Sequence, residues 1–314
     1  MSLQIPALFE SSIMHSSNPF IIKAESIGSI ALETLSKDQD AHVFGKTSQG
    51  VFINTSGKRL IFLSFERFRG PLIITFDSLD PVLQQVSNGG SVWIASKSMF
   101  LPDLDARITT GGSQVWQPPP PSAPLLTSPD RYEKLVGFAK EILSEGKAAG
   151  LASLIPYILG FPDAEHQLQG GNGIHWANIE QLNHFIRTED VSSLAGLLSN
   201  FLGSGPGLTP SADDFIIGLL LTMNRWGIPP WSKNSLRELN LRVVKAAYGK
   251  TTMLSANLIE CAVQGLANER LINVLDWILT GEGNGPKIAA DLLGWGHSSG
   301  IDTFVGMAVA LYAD

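Results

Sequence analysis

The chain has 314 residues, of which 44% are hydrophobic and only 16% are charged. Because an ordinary soluble protein has about 25% charged residues, this composition predicts a globular protein with much buried surface and excludes a disordered chain. The formal net charge is −7, and no basic run is interleaved with aromatic residues, which argues against nucleic-acid binding.

The sequence predicts a cytoplasmic location. Met1 to Phe20 lack a basic stretch followed by an apolar one, unlike a secretory signal peptide. The single cysteine, Cys261, excludes a disulfide within the chain and suits a reducing compartment. The longest strongly apolar run, Phe215 to Met223, is far shorter than the about 20 residues that cross a bilayer. We therefore expect no membrane partner.

The N-terminal part predicts short strands separated by turn residues. β-branched and aromatic residues recur in short runs that are bounded by Gly, Pro, Asp or Ser, a pattern typical of a small barrel or sandwich. Residues 24–35 fit a helix as well as a strand. The predicted strands are His42–Phe44, Val51–Ile53, Leu60–Leu63, Pro71–Phe76 and Ser91–Ala95.

A proline-rich segment follows the strands. Residues 117–124 read Gln-Pro-Pro-Pro-Pro-Ser-Ala-Pro. Consecutive prolines favour an extended chain and cannot lie inside a helix or a central strand. We therefore predict a domain boundary here, with a β-rich domain over residues 1–124 and an α-helical domain over residues 125–314.

The second domain is predicted to be a helical bundle, which makes the fold class α+β. Ser128 is the expected N-cap of its first helix, with Pro129 at the first helical position. The helices that begin at Ser211 and Ser299 are apolar nearly all round, as is typical in the middle of a bundle. The predicted helices are Pro129–Glu145, Ile179–Ile186, Val191–Leu202, Ser211–Trp226, Ser235–Gly265, Glu269–Leu279, Lys287–Leu293 and Ser299–Tyr312.

The first motif, residues 203–214, reads Gly-Ser-Gly-Pro-Gly-Leu-Thr-Pro-Ser-Ala-Asp-Asp and leads into the apolar helix. Glycines allow a ligand to approach the backbone closely, and first-turn N–H groups can hold an anion. Helix capping explains the motif equally well: either Thr209 is the N-cap, or Ser211 and Asp214 form a box-like cap. Asp213 and Asp214 would repel a bare phosphate unless Mg²⁺ or a basic side chain lies between them.

The second motif, residues 296–306, reads Gly-His-Ser-Ser-Gly-Ile-Asp-Thr-Phe-Val-Gly and repeats part of the first. Both contain the pattern S-x-x-D-x-x-x-G at the mouth of an apolar helix. The serine and the aspartate can cap the helix, and the glycine two turns later permits a close helix crossing. The matched pairs are Ser211 with Ser299, Asp214 with Asp302, and Gly218 with Gly306.

Two interpretations of this repeat stay open. The helices are either two well-capped core helices that look alike, or their N-termini converge on one pocket. Our hypothesis is convergence, which requires Asp214 and Asp302 to lie at the same end of the domain. The side chains expected at the rim of the pocket are Asp213, Asp214, Asp302 and His297.

Further candidates lie near the two motifs. Residues 248–252, Tyr-Gly-Lys-Thr-Thr, resemble the end of a P-loop, but Val244 stands where that loop needs its first glycine. Lys250 is either a solvated lysine or a cation that binds an anion. Thr251, one predicted helical turn before Ser255, either lines the pocket with it or bonds to its own helix. No histidine pattern predicts a metal site, and His297 is the histidine inside a dense motif.

The first motif, with Leu-Thr-Pro-Ser-x-Asp-Asp at its centre, resembles the hallmark of the AllH-type family. The string is specific, and the other matches corroborate it, although Ala212 stands where the family usually has glycine. The corroborating segments are residues 42–44, 51–54, 60–63 and 70–74, the hydroxyl residues Thr251, Thr252 and Ser255, and the second motif.

The resemblance implies a subunit of oxamate carbamoyltransferase, a multi-subunit enzyme of allantoin degradation in purine catabolism. That enzyme interconverts oxalurate plus phosphate with oxamate plus carbamoyl phosphate. The resemblance therefore implies companion subunits and a small anionic substrate: carbamoyl phosphate, oxamate or oxalurate. It transfers no catalytic residue, so the candidate residues come from the motifs alone.

Carbamoyl transfer needs hydrogen-bond donors for the phosphate and the carbonyl oxygen, and a base for the attacking nitrogen. The candidate catalytic residues are His297, Asp214 and Asp302. The candidate substrate-binding residues are Gly205, Gly207, Thr209, Ser211, Lys250, Thr251, Ser298 and Ser299. The candidate ligands for Mg²⁺, the one cofactor considered, are Asp213 and Asp214.

Two other functions remain open at this point. Neither motif holds an arginine, although phosphate sites usually use one, so the positive charge must come from Lys250, a metal ion or a companion subunit. One alternative is a Mg²⁺-assisted enzyme on a phosphate or amide substrate. The other is a non-catalytic scaffold subunit, in which the glycine-rich motifs serve helix packing.

Overall fold

The computed structural model describes residues 19–77, 81–121, 123–144, 150–161 and 174–313. The chain divides into two compact units, Met1–Trp116 and Gln117–Asp314. The first unit is built around β-strands and the second is helical, which confirms the predicted α+β class.

In the described residues of the first unit, ten strands form one sheet that curls into a half-barrel. The strand order is β1-β9-β8-β7-β3-β4-β5-β6-β2-β10, so β1 and β10 are the two edges and are not paired with each other. We predicted a small barrel or sandwich, but the strands form one open sheet. The sheet stays open because β10 pairs with β2, which pairs with β6, and β10 does not pair with β1. The strands are β1 (Phe20–Lys23), β2 (Ser26–Gly28), β3 (Gln39–Thr47), β4 (Gly50–Thr55), β5 (Leu60–Ser64), β6 (Ile73–Thr75), β7 (Ser91–Ala95), β8 (Ser98–Leu101), β9 (Ala106–Thr109) and β10 (Gln114–Trp116).

All five predicted strands are present, as β3 to β7. Successive side chains of a strand point to opposite faces of the sheet. In β4, Val51 and Ile53 are therefore fully buried on one face, while Phe52 between them is partly exposed on the other and stacks on Phe62. The ambiguous residues 24–35 form both structures in turn, strand β2 and then helix α1 (Ser29–Leu35). A further short helix, α2 (Pro81–Gln84), precedes β7.

The second unit is made of helices, two of which, α7 and α12, are buried along nearly their whole length. Its large core includes Phe138, Phe215 and Phe304, none of which is exposed to solvent. No helix in the part of the chain that the structure describes is long and apolar enough to cross a membrane. The helices are α3 (Ser128–Ser144), α4 (Ile155–Ile158), α5 (Trp176–Arg187), α6 (Val191–Phe201), α7 (Ser211–Arg225), α8 (Lys233–Lys250), α9 (Met253–Ala262), α10 (Glu269–Thr280), α11 (Gly285–Leu293) and α12 (Ser299–Tyr312).

Two helix predictions need correction. Helix α3 begins at Ser128 itself, and the Thr127 hydroxyl accepts from the Asp130 N–H at 3.4 Å; Glu145, its predicted end, lies outside the described residues. The single helix predicted over 235–265 is two helices, because Thr251 is extended (φ −133°, ψ −174°) and ends α8. The next residue then caps α9, so Thr251 and Ser255 do not lie on one helix face.

Candidate functional site

Helices α7 and α12 cross each other through the matched glycines of the two motifs. A Cβ atom added to Gly218 would lie 1.9 Å from the carbonyl oxygen of Thr303. A Cβ atom added to Gly306 would lie 1.9 Å from the carbonyl oxygen of Phe215. Thr303 and Phe215 are themselves matched positions, each four residues after the first serine of its helix. The crossing is therefore reciprocal, and each glycine gives the other helix room to approach.

The reciprocity continues at the N-terminal ends of both helices. The hydroxyl groups of Thr209 and Ser299 lie 3.2 Å apart and share a hydrogen bond. The Ser299 hydroxyl also faces the Asp214 carboxyl, and the Ser211 hydroxyl faces the Asp302 carboxyl. Each motif thus directs its serine at the aspartate of the other motif, and the structure brings Asp214 and Asp302 together.

The aspartates lie beneath the surface, whereas we expected them at the rim of an open pocket. Asp213 and Asp302 are 0% exposed and Asp214 is 1% exposed, while His297 is exposed. The close crossing at Gly218 and Gly306 brings the beginnings of the two helices together, and the carboxyls are buried there.

Burial raises the pKa of Asp214 well above its ordinary value of 3.8. Repulsion by the carboxyls of Asp302 and Asp213 adds to this rise, and the hydroxyls of Ser299 and Thr209 oppose it. Neither carboxyl oxygen receives a hydrogen bond of good geometry. A buried acid without strong hydrogen-bond donors favours its neutral form, so Asp214 keeps its proton to a higher pH than an exposed aspartate does.

Burial also raises the pKa of Asp302, but more neighbouring groups lower this pKa than lower that of Asp214. The Leu151 N–H donates to its Oδ1 at 2.6 Å, and Ser211, Ser298 and His297 favour the charged form as well. The preceding Gly150 has φ +61°, and a Cβ atom there would lie 2.1 Å from Oδ1. Only glycine fits this position, which sequence reasoning missed because 151 positions separate Leu151 from Asp302.

Asp213 holds the glycine-rich loop to the beginning of α7. One carboxyl oxygen accepts from the Gly203 N–H at 2.8 Å, and the other accepts from the Thr251 hydroxyl. The Thr252 hydroxyl donates to the carbonyl oxygen of Leu208 at 2.8 Å. Thr251 and its neighbour therefore position the loop from the α8–α9 connection.

The loop also covers the beginning of α7, which corrects both capping predictions. The N-cap of α7 is Pro210, so neither Thr209 nor Ser211 caps it with a side chain. Instead, the Ala212 N–H donates to the carbonyl oxygen of Ser204 at 3.1 Å. Gly205 has φ +115°, and its Cβ position lies 2.8 Å from the Ser211 nitrogen. The loop backbone therefore occupies the space at the beginning of α7 in which we expected an anion to bind.

The second motif leaves its helix start more open. Gly296 (φ +66°) approaches the Ser299 hydroxyl, with its Cβ position 3.2 Å from Oγ. Ser298 is the N-cap of α12 but makes no side-chain cap. Ser298 and Ser299 are partly exposed next to the exposed His297, so these three side chains can reach a molecule at the surface.

The remaining candidates have separate surroundings. Gly207 is exposed with φ +103°, and Leu208 beside it is 50% exposed. The Lys250 ammonium donates to the Ser199 hydroxyl at 2.8 Å and to the Ser199 carbonyl oxygen at 3.0 Å. Within the described residues, no three His, Cys, Asp or Glu side chains are grouped to hold a metal ion, and the donors to Asp213 already occupy both of its oxygens.

Comparison with protein families gives a match over the region that carries both motifs. Residues 201–311 match the model of the family described as oxamate carbamoyltransferase subunit AllH. The resemblance deduced from the motifs is therefore confirmed for this segment, which runs from the end of α6 to α12. No solved structure matches the chain.

Proposed function

We propose that the chain is a subunit of an oxamate carbamoyltransferase-like enzyme that works in purine catabolism with companion subunits. The observation that carries this proposal is the family match over residues 201–311, which contain both motifs. We further propose that a small anionic substrate binds at the exposed surface of the two motifs. The residues of this motif surface are Gly207, Thr209, His297, Ser298 and Ser299.

The reaction places clear demands on such a surface. The amide nitrogen of oxamate attacks the carbamoyl carbon of carbamoyl phosphate, the bond from that carbon to the phosphate oxygen breaks, and the nitrogen loses a proton. In this proposal the His297 imidazole accepts the proton, because it is the exposed titratable group of the two motifs. The hydroxyls of Ser298 and Ser299 donate to the phosphate or carboxylate oxygens.

In the same proposal, the two buried carboxyls lie beneath the motif surface and position the groups that contact the substrate. The O–H of a neutral Asp214 donates a hydrogen bond to the hydroxyl oxygen of Ser299 or Thr209, which leaves the hydrogen of that hydroxyl free to donate to a bound anion. The Leu151 N–H holds the Asp302 carboxyl in place beneath the beginning of α12. Asp213 and Gly205 hold the loop in shape, and positive charge for the phosphate comes from outside these residues.

The scaffold alternative also has a specific observation behind it. The matched glycines pack α7 against α12, and the hydroxyls of Thr209 and Ser299 bond to each other, without any ligand. A pure packing role explains these residues but gives no role to the exposed His297 and Gly207. The two functions therefore differ in what the exposed residues do.

The test is calorimetric titration of the purified chain with carbamoyl phosphate, with and without Mg²⁺. We expect saturable binding that His297→Gln and Ser299→Ala weaken at least about tenfold. The control variant is His184→Gln, since His184 is another exposed histidine and lies on α5, outside both motifs. Binding that requires Mg²⁺ and is lost in Asp214→Asn would favour the metal-assisted enzyme instead.

Activity of the assembled enzyme separates the transferase from the scaffold. We expect His297→Gln to lower kcat of the reconstituted complex at least about a hundredfold while the complex still assembles. No binding to the isolated chain, together with full activity of the His297→Gln complex, would contradict the proposal and leave the scaffold function.

A further inference from the structure

A groove on the second unit lies away from the two motifs, between α8, α9 and the end of α7. Its cavity volume is about 610 Å³. Partly buried apolar side chains of Leu236, Val244 and Val263 line it, and Leu241 at its edge is 63% exposed. The apolar lining and the exposed Leu241 together form an apolar surface that a second molecule can contact. We call this surface the α8 groove.

The α8 groove is basic although the chain is acidic. Lys233, Arg237 and Lys245 line it and are exposed, and within the described residues none of these three side chains has an ion pair or a hydrogen bond. The one acid in the lining, Glu260, accepts a hydrogen bond from the Tyr248 hydroxyl at 2.5 Å. Three cations against one carboxylate in the groove of a chain with a net charge of −7 favour a negatively charged occupant.

The spacing along α8 gives the occupant its shape. Lys233, Arg237, Leu241 and Lys245 follow one another at intervals of four residues, so they form a row that is inclined to the helix axis and turns about 40° around it at each step. This row is about 18 Å long, at about 1.5 Å per residue, which equals about three turns of a second helix laid beside it. The row combines three charges with one apolar contact, and the apolar lining lies next to it.

We propose that the α8 groove binds an amphipathic acidic helix of a partner chain. The apolar face of that helix packs against Leu236, Leu241 and Val244, and its carboxylates pair with the three cations. A small inorganic anion would use the cations but would leave the apolar lining and Leu241 uncovered. The proposal is independent of carbamoyl transfer, because no residue of the motif surface takes part.

A synthetic peptide provides the probe. It has about 14 residues, leucines spaced as i, i+3, i+4 and i+7, and glutamates on both flanks of the leucine face. Fluorescence anisotropy with the full chain should show saturable binding that is at least about tenfold tighter than for a counterpart with lysine at every glutamate. In the double variant Arg237→Glu/Lys245→Glu, we expect the lysine peptide to bind more tightly than the glutamate peptide.

Two single variants test the apolar part and the specificity. Leu241→Asp should weaken the glutamate peptide at least about fivefold, and its exposure means that the fold tolerates the change. Lys287→Glu, the same charge reversal at an exposed position on α11, should leave binding unchanged.

Several outcomes would overturn the proposal. Equal binding of both peptides, or a preference that the double variant does not reverse, would remove the charge argument. Binding of tripolyphosphate that Arg237→Glu abolishes, without peptide binding, would mark a small-anion site. A dimer in sedimentation velocity that Leu241→Asp dissociates would place a second copy of this chain on the groove.

Discussion

The beginnings of α7 and α12 carry the same residues in different surroundings. Asp214 and Asp302 hold matched positions and are both buried, yet a backbone N–H donates to Asp302 whereas no donor of good geometry reaches Asp214. Burial raises the pKa of both carboxyls, and the rise is larger for Asp214. The motif therefore fixes where the two acids meet, and the Leu151 N–H is one of the groups that favour the charged form of Asp302.

The largest expected effect on the free energy of unfolding comes from variants that disrupt the crossing of α7 and α12. Gly218→Ala and Gly306→Ala each place a methyl group against a backbone oxygen of the other helix, so we expect each to lower the free energy of unfolding by about 3 kcal/mol. Urea denaturation measures the loss. The double variant should lose less than the sum, because the first methyl group already separates the helices.

Helical glycines without neighbours provide the controls. Added Cβ atoms on Gly137 in α3 and Gly196 in α6 would meet nothing within 4 Å. Alanine at these positions should raise the free energy of unfolding by up to about 1 kcal/mol, because it favours the helix. If the variants of Gly218 and Gly306 behaved like these controls, the reciprocal crossing would be contradicted.

The sequence predicted this crossing better than it predicted the site around it. The repeat and the period of apolar residues indicate two buried helices with matched glycines, since both signals are local. The contact from Leu151 to Asp302 joins residues 151 positions apart, and no local pattern encodes it. The break at Thr251 was missed for a related reason: its hydroxyl bonds to Asp213, so a tertiary contact stabilises the extended residue.

The protonation difference can be measured through stability. The pKa of Asp214 is higher in the folded state than its ordinary value of 3.8, so the folded state binds this proton more tightly than the unfolded chain does. The stability from the neutral acid is complete below pH 3.8 and is lost as the pH rises through the folded pKa. One such proton changes the free energy of unfolding by at most about 1.4 kcal/mol per pH unit.

Asparagine variants assign this loss to one helix or the other. Asp214→Asn should remove most of the decline above pH 3.8, and Asp302→Asn, which keeps an oxygen for the Leu151 N–H, should remove less. Asp190 supplies a control of opposite sign, because the Ser193 N–H lowers its pKa. Asp190→Asn should therefore alter only the loss of stability at acid pH. Equal effects of the two buried variants would contradict the difference between α7 and α12.

A smaller effect tests how the two motifs are joined. Ser299→Ala removes the hydrogen bond to the Thr209 hydroxyl and the hydroxyl that faces Asp214. We expect a loss of about 1 kcal/mol in the free energy of unfolding and a further rise in the pKa of Asp214, which extends the pH-dependent decline to higher pH. Ser144→Ala, at the exposed end of α3, should change neither quantity.

The smallest expected effect concerns Lys250, which the sequence offered as the cation for an anion at the first motif. Its ammonium instead donates twice to Ser199 at the end of α6, while its side chain is exposed. Because an exposed contact of this kind contributes little, Lys250→Gln should change the free energy of unfolding by less than about 0.5 kcal/mol and the Kd for carbamoyl phosphate less than about twofold. Calorimetry beside His297→Gln gives the comparison. A tenfold loss of affinity for carbamoyl phosphate in Lys250→Gln would mean that the lysine leaves Ser199 when the anion binds. The first motif, beside α7, would then supply positive charge to the site through Lys250.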